Sequence, residues 1–461
     1  MAAPPVPARD PAAEAALRQG IDLLQLGRAS EAEAPLRMAY ASIGDRPDML
    51  HFLAVSAMQR NDAREAEQLW KRAIGRDPKE PMLRYNYGIA LQGLGRLDDA
   101  IREWRHALRL HPDNIDARLR VAAALSANNR LAAAEREYAE LIQLCDRPET
   151  AQRILPEALR QARVMARSAL GYLLYRLGRN DDAVVVLDAA LADLPDNDPM
   201  RPPVLGDRAL VLDMVGRTDE AIAGFDGAIQ LAPGNSKLHN GMGHVLLRAG
   251  RAAEAEAAFR RAIEIEPGLA EATRNLARAR GEQGDTAGAL DHLSLAHQTA
   301  PDDTETLYDM TTLALELGEP QRATAALEPF LQRHPDDARA LNNLGIAYLM
   351  LDRAGDAHAT MRKAYKLAPD EPLVLTNLGR ALVALGRAQE AEPLHRKALK
   401  LQPGDPRLLG HFGTCQLALG NIEQARELYV AAQTGHPDNV DARRGLEHIE
   451  AMRVMSGESP A

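Results

Sequence analysis

Cysteine is almost missing from this 461-residue sequence, which holds only Cys145 and Cys415. The two stand 270 positions apart. That excludes a disulfide framework and any metal-ligand spacing, and leaves them as small buried hydrophobes. Positive charge is also short: 55 Lys and Arg stand against 65 Asp and Glu, a net charge of −10. Nucleic-acid binding draws most of its affinity from neutralising phosphates, so a nucleic-acid partner is excluded from the expectation. No uncharged apolar run approaches the roughly 20 residues of a spanning helix. The Pro-rich start, Met1 to Pro11, has neither a basic region nor an apolar one of the signal-peptide kind. The expectation is a cytoplasmic protein without membrane insertion. The motifs of zinc proteases, phosphate-binding loops, nucleophile elbows and dithiol sites are absent as well. No catalytic residue, metal ligand or cofactor is therefore expected.

What the chain does have is a period. Units of 34 residues start at 13, 47, 81 and 115, then at 164, and then at 202, 236, 270, 304, 338, 372 and 406. Unit position 20 is alanine in all twelve, and position 8 is Gly or Ala in all but one, Thr311. Position 24 is mostly large, as in Trp70, Trp104, Phe225, Phe259 and Tyr429. Small and large residues alternating on facing helices let an antiparallel pair interdigitate. Position 15 is glycine in nine units and Asn61, Asn129 or Asp352 in the others. These residue types tolerate positive φ, which predicts a left-handed helix stop. Position 32 is proline in ten units, ending the second helix. Each unit reads as helix, tight turn, helix, turn.

This pattern, over about nine-tenths of the chain, resembles the tetratricopeptide repeat (TPR). The resemblance implies an all-α fold, a right-handed solenoid in which stacked neighbours bury the face that one hairpin cannot. The expected organisation is a disordered head at 1–12, repeats one to four at 13–148, an insertion at 149–163 and repeat five at 164–197. A short insertion at 198–201, repeats six to twelve at 202–439, a capping helix at 440–455 and a disordered tail follow. In the capping helix Leu446, Ile449 and Met452 turn inward. Repeat five, flanked by both insertions, is either a joint between two lobes or part of a rigid array with decorated loops.

The scattered polar residues read structurally. His111, His334 and His436 precede proline at one repeat position and belong to helix C-termini. Pairs such as Asp181 and Asp182, or Asp302 and Asp303, fall at helix starts, where Asp caps N–H groups.

The resemblance places unit positions 2, 5, 6, 9, 12 and 13 on the groove. In repeats one to three these include Leu17, Ile21, Leu24, Phe52, Val55, Met58, Met82, Tyr85 and Ile89, an apolar strip. It suits a partner helix or a homodimer through the N-terminal lobe. Position 6 differs: it holds Asn86, Asn275, Asn343 and Asn377, with Asp207 and Asp309 in two further units. Asn is a poor mid-helix residue, so its recurrence at an inward site points to use. Its amide can donate to and accept from a peptide bond at once. The row is similar to the asparagine ladder in the TPR arm of O-linked N-acetylglucosamine transferases, which holds substrate peptides. No transferase domain accompanies it here. Nearby Arg274, Arg278 and Arg380 make the groove locally basic, suited to acidic or carboxyl-terminal ligands. The Lys and Asn order by which TPR co-chaperones clamp acidic tails is not found. The expected function is a non-enzymatic scaffold binding a protein or peptide partner in the groove. The alternatives are a targeting subunit for a separate glycosyltransferase or sulfotransferase, and an assembly factor for a bacterial envelope or secretion complex.

Overall fold

The computed structural model describes residues 10–456 of the chain. Among them are twenty-six helices, from α1 (Pro11–Gln25) to α26 (Val440–Ser456), and no strand. Residues 1–9 and 457–461, where most of the expected head and tail fall, lie outside the described residues. Pro11 and Ala12, assigned above to the head, instead open α1. The Asp10 carboxylate accepts from the Ala12 N–H at 3.0 Å, and proline suits a first helical turn.

Each period folds as an antiparallel helix pair, as in α5 (Pro81–Gly93) against α6 (Leu97–Leu110). The left-handed stop is present in all twelve repeats: the nine glycines at position 15 have positive φ, and so do Asn61, Asn129 and Asp352 at 63°, 55° and 57°. The backbone there closes as a helix C-cap, with the Arg96 N–H donating to the Leu91 carbonyl at 2.9 Å. Position 8 faces position 24 of the same repeat. A Cβ on Gly243 would lie 2.6 Å from the Phe259 ring, and one on Gly413 2.7 Å from the Tyr429 ring. The small residue is what lets the large one in.

An unforeseen regularity lies at the second helix start. In seven repeats the Arg at position 16 pairs with an acid three residues on, as Arg28 does with Glu31, Arg251 with Glu254 and Arg387 with Glu390. The acid sits in the first helical turn, where the dipole favours it, and fastens a cation that the dipole does not. Asp182 takes part in such a pair with Arg179 rather than capping its helix, whereas Asp303 does cap, accepting from the Glu305 N–H at 3.3 Å.

The chain divides into two compact units, residues 1–233 and 234–461. The boundary therefore falls after repeat six and not at repeat five. In the first unit α10 (Pro156–Arg176) packs on α7 (Ile115–Ala127) and α8 (Leu131–Cys145) on one side. On the other it packs on α11 (Asn180–Ala192) and α12 (Arg201–Met214). The insertion at 149–163 supplies most of the one-turn α9 (Pro148–Ala151) and the first turns of α10. Arg163 links Asp146 beyond α8 to Asp193 beyond α11, at 2.9 and 2.7 Å. The short insertion is closed by Arg201, which donates to the Leu191 and Leu194 carbonyls at 3.1 and 2.7 Å. Repeat five is thus fastened on both sides.

In the second unit the apolar core runs from Ala277 to Cys415, and α26 covers the last pair. Its buried Ile449, with Leu446 and Met452 beside it, packs on Ala425 and Tyr429. Both cysteines are buried, and burial pushes each thiol up to about 11. No helix among the described residues is long and apolar enough to cross a membrane.

Candidate functional site

Position 6 does not stand free in the groove. In four repeats, with differing residue types, it hydrogen-bonds to position 5 of the preceding repeat. Arg120 Nε donates to Tyr85 Oη at 2.9 Å, and Ser168 Oγ donates to Asp207 Oδ2 at 3.3 Å. Asn275 Nδ2 donates to Asn240 Oδ1 at 3.0 Å, and Asn377 Nδ2 to Asn342 Oδ1 at 3.0 Å. Asn343 reaches Thr311 Oγ1 instead, at 3.2 Å. Asn343 and Asn377 are buried, 8% and 6% exposed. The recurrence that marked a ligand ladder therefore first serves to join neighbouring repeats, each bond worth about 1 kcal/mol. Asn86 lies half-buried on α5, in the first unit.

Burial shifts three ionisable groups of the row. Burial raises Asp207 to about 6, against the help of Ser168, and raises Asp309, against the attraction of Arg274. Burial, with Arg380 next in effect, pushes His411 down to about 3. All three shifts favour the neutral form. For Asp207 the folded state binds more protons than the unfolded one between about pH 4 and pH 6. Stability therefore falls as pH rises through that window and stays lower above it. Asp207→Asn is expected to raise the melting temperature of the first unit by several degrees at pH 7.5, a ceiling of about 3 kcal/mol. At pH 4 the gain should vanish. A gain of equal size at both pH values would place the effect elsewhere.

Six of the nine predicted groove residues come together in two cavities of the second unit, whereas Asn275 borders neither and Asn86 and Asp207 belong to the first unit. The larger, about 730 Å³, is bordered by Asn343, Asn377 and Arg380, together with Asn342, Arg339 and Arg407. Its walls are aliphatic, from Ile346, Leu373, Val374 and Leu408, and His411 closes one side. Asn377 ties it together: its amide donates to Asn342 while its Oδ1 accepts from Arg380 Nη1 at 3.0 Å. The Arg339 guanidinium lies 4.1 Å over the Tyr308 ring, whose hydroxyl donates to Asp337 at 2.6 Å. The second cavity, about 560 Å³, is bordered by Arg274, Arg278 and Asp309 and shares Thr312 and Arg339 with the first. The two form one groove along α16 (Ala270–Glu282), α18 (Thr304–Glu316), α20 (Ala338–Met350), α22 (Pro372–Ala384) and α24 (Pro406–Ala418).

Family profiles described as tetratricopeptide repeat match residues 53–104, 88–147, 146–200, 169–236, 308–372 and 351–406. Two others with that description match 214–279 and 382–448, and 270–294. Together they span well over half of the sequence. The chain belongs to the tetratricopeptide repeat family. Similar solved structures include an APC/C hetero-tetramer Cut9-Hcn1, at 15% identity and a TM-score of 0.40, covering 96% of this chain and 97% of that one. A tetratricopeptide repeat protein from Parabacteroides merdae ATCC 43184 matches at 17% identity and a TM-score of 0.44, over 54% of this chain and 98% of its own. No curated protein matches. Tetratricopeptide repeats are in general scaffolds for protein–protein interaction, and this repeat protein has that coarse role.

The apolar strip of its first unit is less open than its sequence suggests. Leu17 and Leu24 are core residues of α1, 8% and 6% exposed. Ile21, Phe52, Val55, Met58, Tyr85 and Ile89 are half-buried, and Met82 is exposed. Tyr85 is further covered by Arg120, 5.6 Å from its ring. Residues of the larger cavity that were missed include Thr312 at position 9, Asn342 and Thr376 at position 5, and Arg407 and His411 at positions 2 and 6 of repeat twelve. Applying the groove positions to every repeat finds them; following asparagine alone does not.

Proposed function

We propose that this tetratricopeptide repeat protein is a non-enzymatic scaffold whose second unit holds an extended segment of a partner protein in the groove over repeats eight to twelve. The observation that carries the reading is the pair of adjoining cavities sharing Thr312 and Arg339. Their length and aliphatic walls suit a chain segment, and their Asn and Arg side chains suit its backbone and charges. The first unit would add apolar contacts through Phe52, Val55 and Met58.

Asn343→Ala combined with Asn377→Ala tests the groove. Both amides also join repeats, so the double variant is expected to melt a few degrees lower, about 1 kcal/mol for each lost bond. Affinity capture from native lysate should lose the groove partner at least tenfold. Phe52→Glu, in the other unit, should leave that partner bound. Identical captures with wild type and the double variant would move the function out of the groove.

A further inference from the structure

We infer that the larger cavity, over repeats ten to twelve, binds a carboxylate carried next to an aliphatic group, with Arg380 as its charge partner. The inference rests on the groove reading and specifies what the groove recognises.

Arg380 differs from the other arginines of the two cavities in having neither a protein anion nor an aromatic ring as its partner among the described residues. Arg407 lies 3.3 Å from Asp405, Arg278 lies 3.4 Å from Glu282 and Arg274 lies 3.9 Å from Asp303. Arg339 rests on the Tyr308 ring. Arg380 has a single hydrogen bond, to the neutral amide oxygen of Asn377, and no carboxylate within 4.0 Å among the described residues. Asp441 attracts it only at longer range, because that carboxylate faces His411 Nδ1 at 3.3 Å. Burial draws the guanidinium below its ordinary range, although the side chain is half-buried and keeps some access to water. This half-buried cation has no counter-ion within reach, and four of its five N–H donors have no partner in the protein.

The surroundings define what would meet those donors. The planar guanidinium fork matches a carboxylate in two parallel hydrogen bonds. A dianionic phosphate would call for a second buried cation, and the other arginines of this cavity, Arg339 and Arg407, are exposed. Around Arg380 the wall is made of Ile346, Val374 and Leu408, with Leu373 at the mouth, 37% exposed. A branched aliphatic group beside the carboxylate would fill that space. Glu371 is the single carboxylate on the cavity wall, against three arginines. The carboxylate can come from a peptide's C-terminus, from an Asp or Glu side chain, or from a free branched-chain acid.

The test uses the full chain and a random octapeptide pool prepared in two forms, with a free C-terminus and with an amidated one. Retained sequences are read by mass spectrometry. Carboxylate-bearing sequences with Leu, Ile or Val next to the carboxylate should be enriched at least tenfold over neutral amidated ones. Enrichment confined to the free-acid pool assigns the chain terminus, and enrichment in both pools assigns an acidic side chain. Arg380→Gln, which keeps a donor for Asn377, should abolish the preference. Because Arg380 is partly buried, Leu373→Asp at the exposed mouth is the second variant, expected to weaken acid capture tenfold with an unchanged circular-dichroism melt. Neutral sequences retained as well as acidic ones would overturn the inference and leave the groove reading standing. So would acid capture unaltered in Leu373→Asp. Capture of no peptide, with 4-methylpentanoate still binding in wild type and not in Leu373→Asp, would support the site and overturn the peptide reading. Binding of neither would overturn both.

Discussion

Gly243→Leu is expected to unfold the hairpin of α14 (Ser236–Arg248) and α15 (Ala252–Ile265). The first added atom already collides, since a Cβ on Gly243 would lie 2.6 Å from the fully buried Phe259 ring. Overpacking of an ordinary core costs about 1–3 kcal/mol when side chains can shift. Here the obstacle is an aromatic ring fixed between two helices, so more than about 3 kcal/mol is expected. In a stacked array that loss weakens the neighbouring interface too, where α15 meets α16. Hydrogen exchange should show protection lost over residues 236–265, and the second unit should melt roughly 6–12 °C lower. Gly250→Ala is the contrast: φ is 74° with nothing within 4 Å of the new Cβ, so only the backbone cost of about 1 kcal/mol applies. Adding Phe259→Ala to Gly243→Leu should restore part of the protection. Similar melts for Gly243→Leu and Gly250→Ala would refute the facing of positions 8 and 24.

That facing, and the positive φ at position 15, could be read from the sequence because both are properties of one repeat. A small residue and a larger one sixteen residues on recur as a unit, and so do Gly, Asn or Asp at the turn. The bonds between repeats left no such trace. Tyr85 with Arg120, Ser168 with Asp207, and Asn342 with Asn377 occupy one geometric relation with three different chemistries, so searching for asparagine at position 6 found one side of one of them. The same blindness applied to burial. Leu17 and Phe52 belong to one expected strip, yet Leu17 is buried in the core while Phe52 stays half-buried. The division at residue 233 was equally hidden, because the turn there carries the same proline as other repeats, whereas the insertions around repeat five are conspicuous and turn out to be fastened by Arg163 and Arg201. In the groove, Arg380 was visible as a charge, but its lack of an anionic partner depends on where Asp441 of α26 points.

A second large effect should appear on acidification, and it centres on His395 of α23 (Ala388–Leu401). At position 24, where other repeats place Trp, Phe, Tyr, Leu or Met, this ring is 1% exposed and neither nitrogen has a hydrogen-bond partner. It packs on Gly379 and stacks on Phe412 at 5.8 Å. Burial, and then the charge of Arg380, push it down to about 4. The folded value lies below the unfolded one, so the neutral ring contributes its full stability above about pH 6.5. That stability is lost as pH falls through the folded value, by about 3 kcal/mol at most. His411, pushed down to about 3, continues the same loss at lower pH. His395→Phe keeps the ring and removes both orphan nitrogens. It is expected to stabilise repeats eleven and twelve by about 1–3 kcal/mol at pH 7.5 and to flatten the acid limb down to pH 4. Hydrogen exchange of residues 388–401 at pH 7.5 and 4.5 measures both effects, and parallel loss of protection in wild type and variant would remove His395 as the cause. The two residues next to Gly379 in space and sequence, His395 and Arg380, also couple this loss to the cavity. Acid that charges His395 puts a second cation beside Arg380 and loosens its wall, so ligand retention at pH 4.5 should be weaker in wild type than in His395→Phe. Equal retention would mean that the cavity wall and the core beneath it loosen independently.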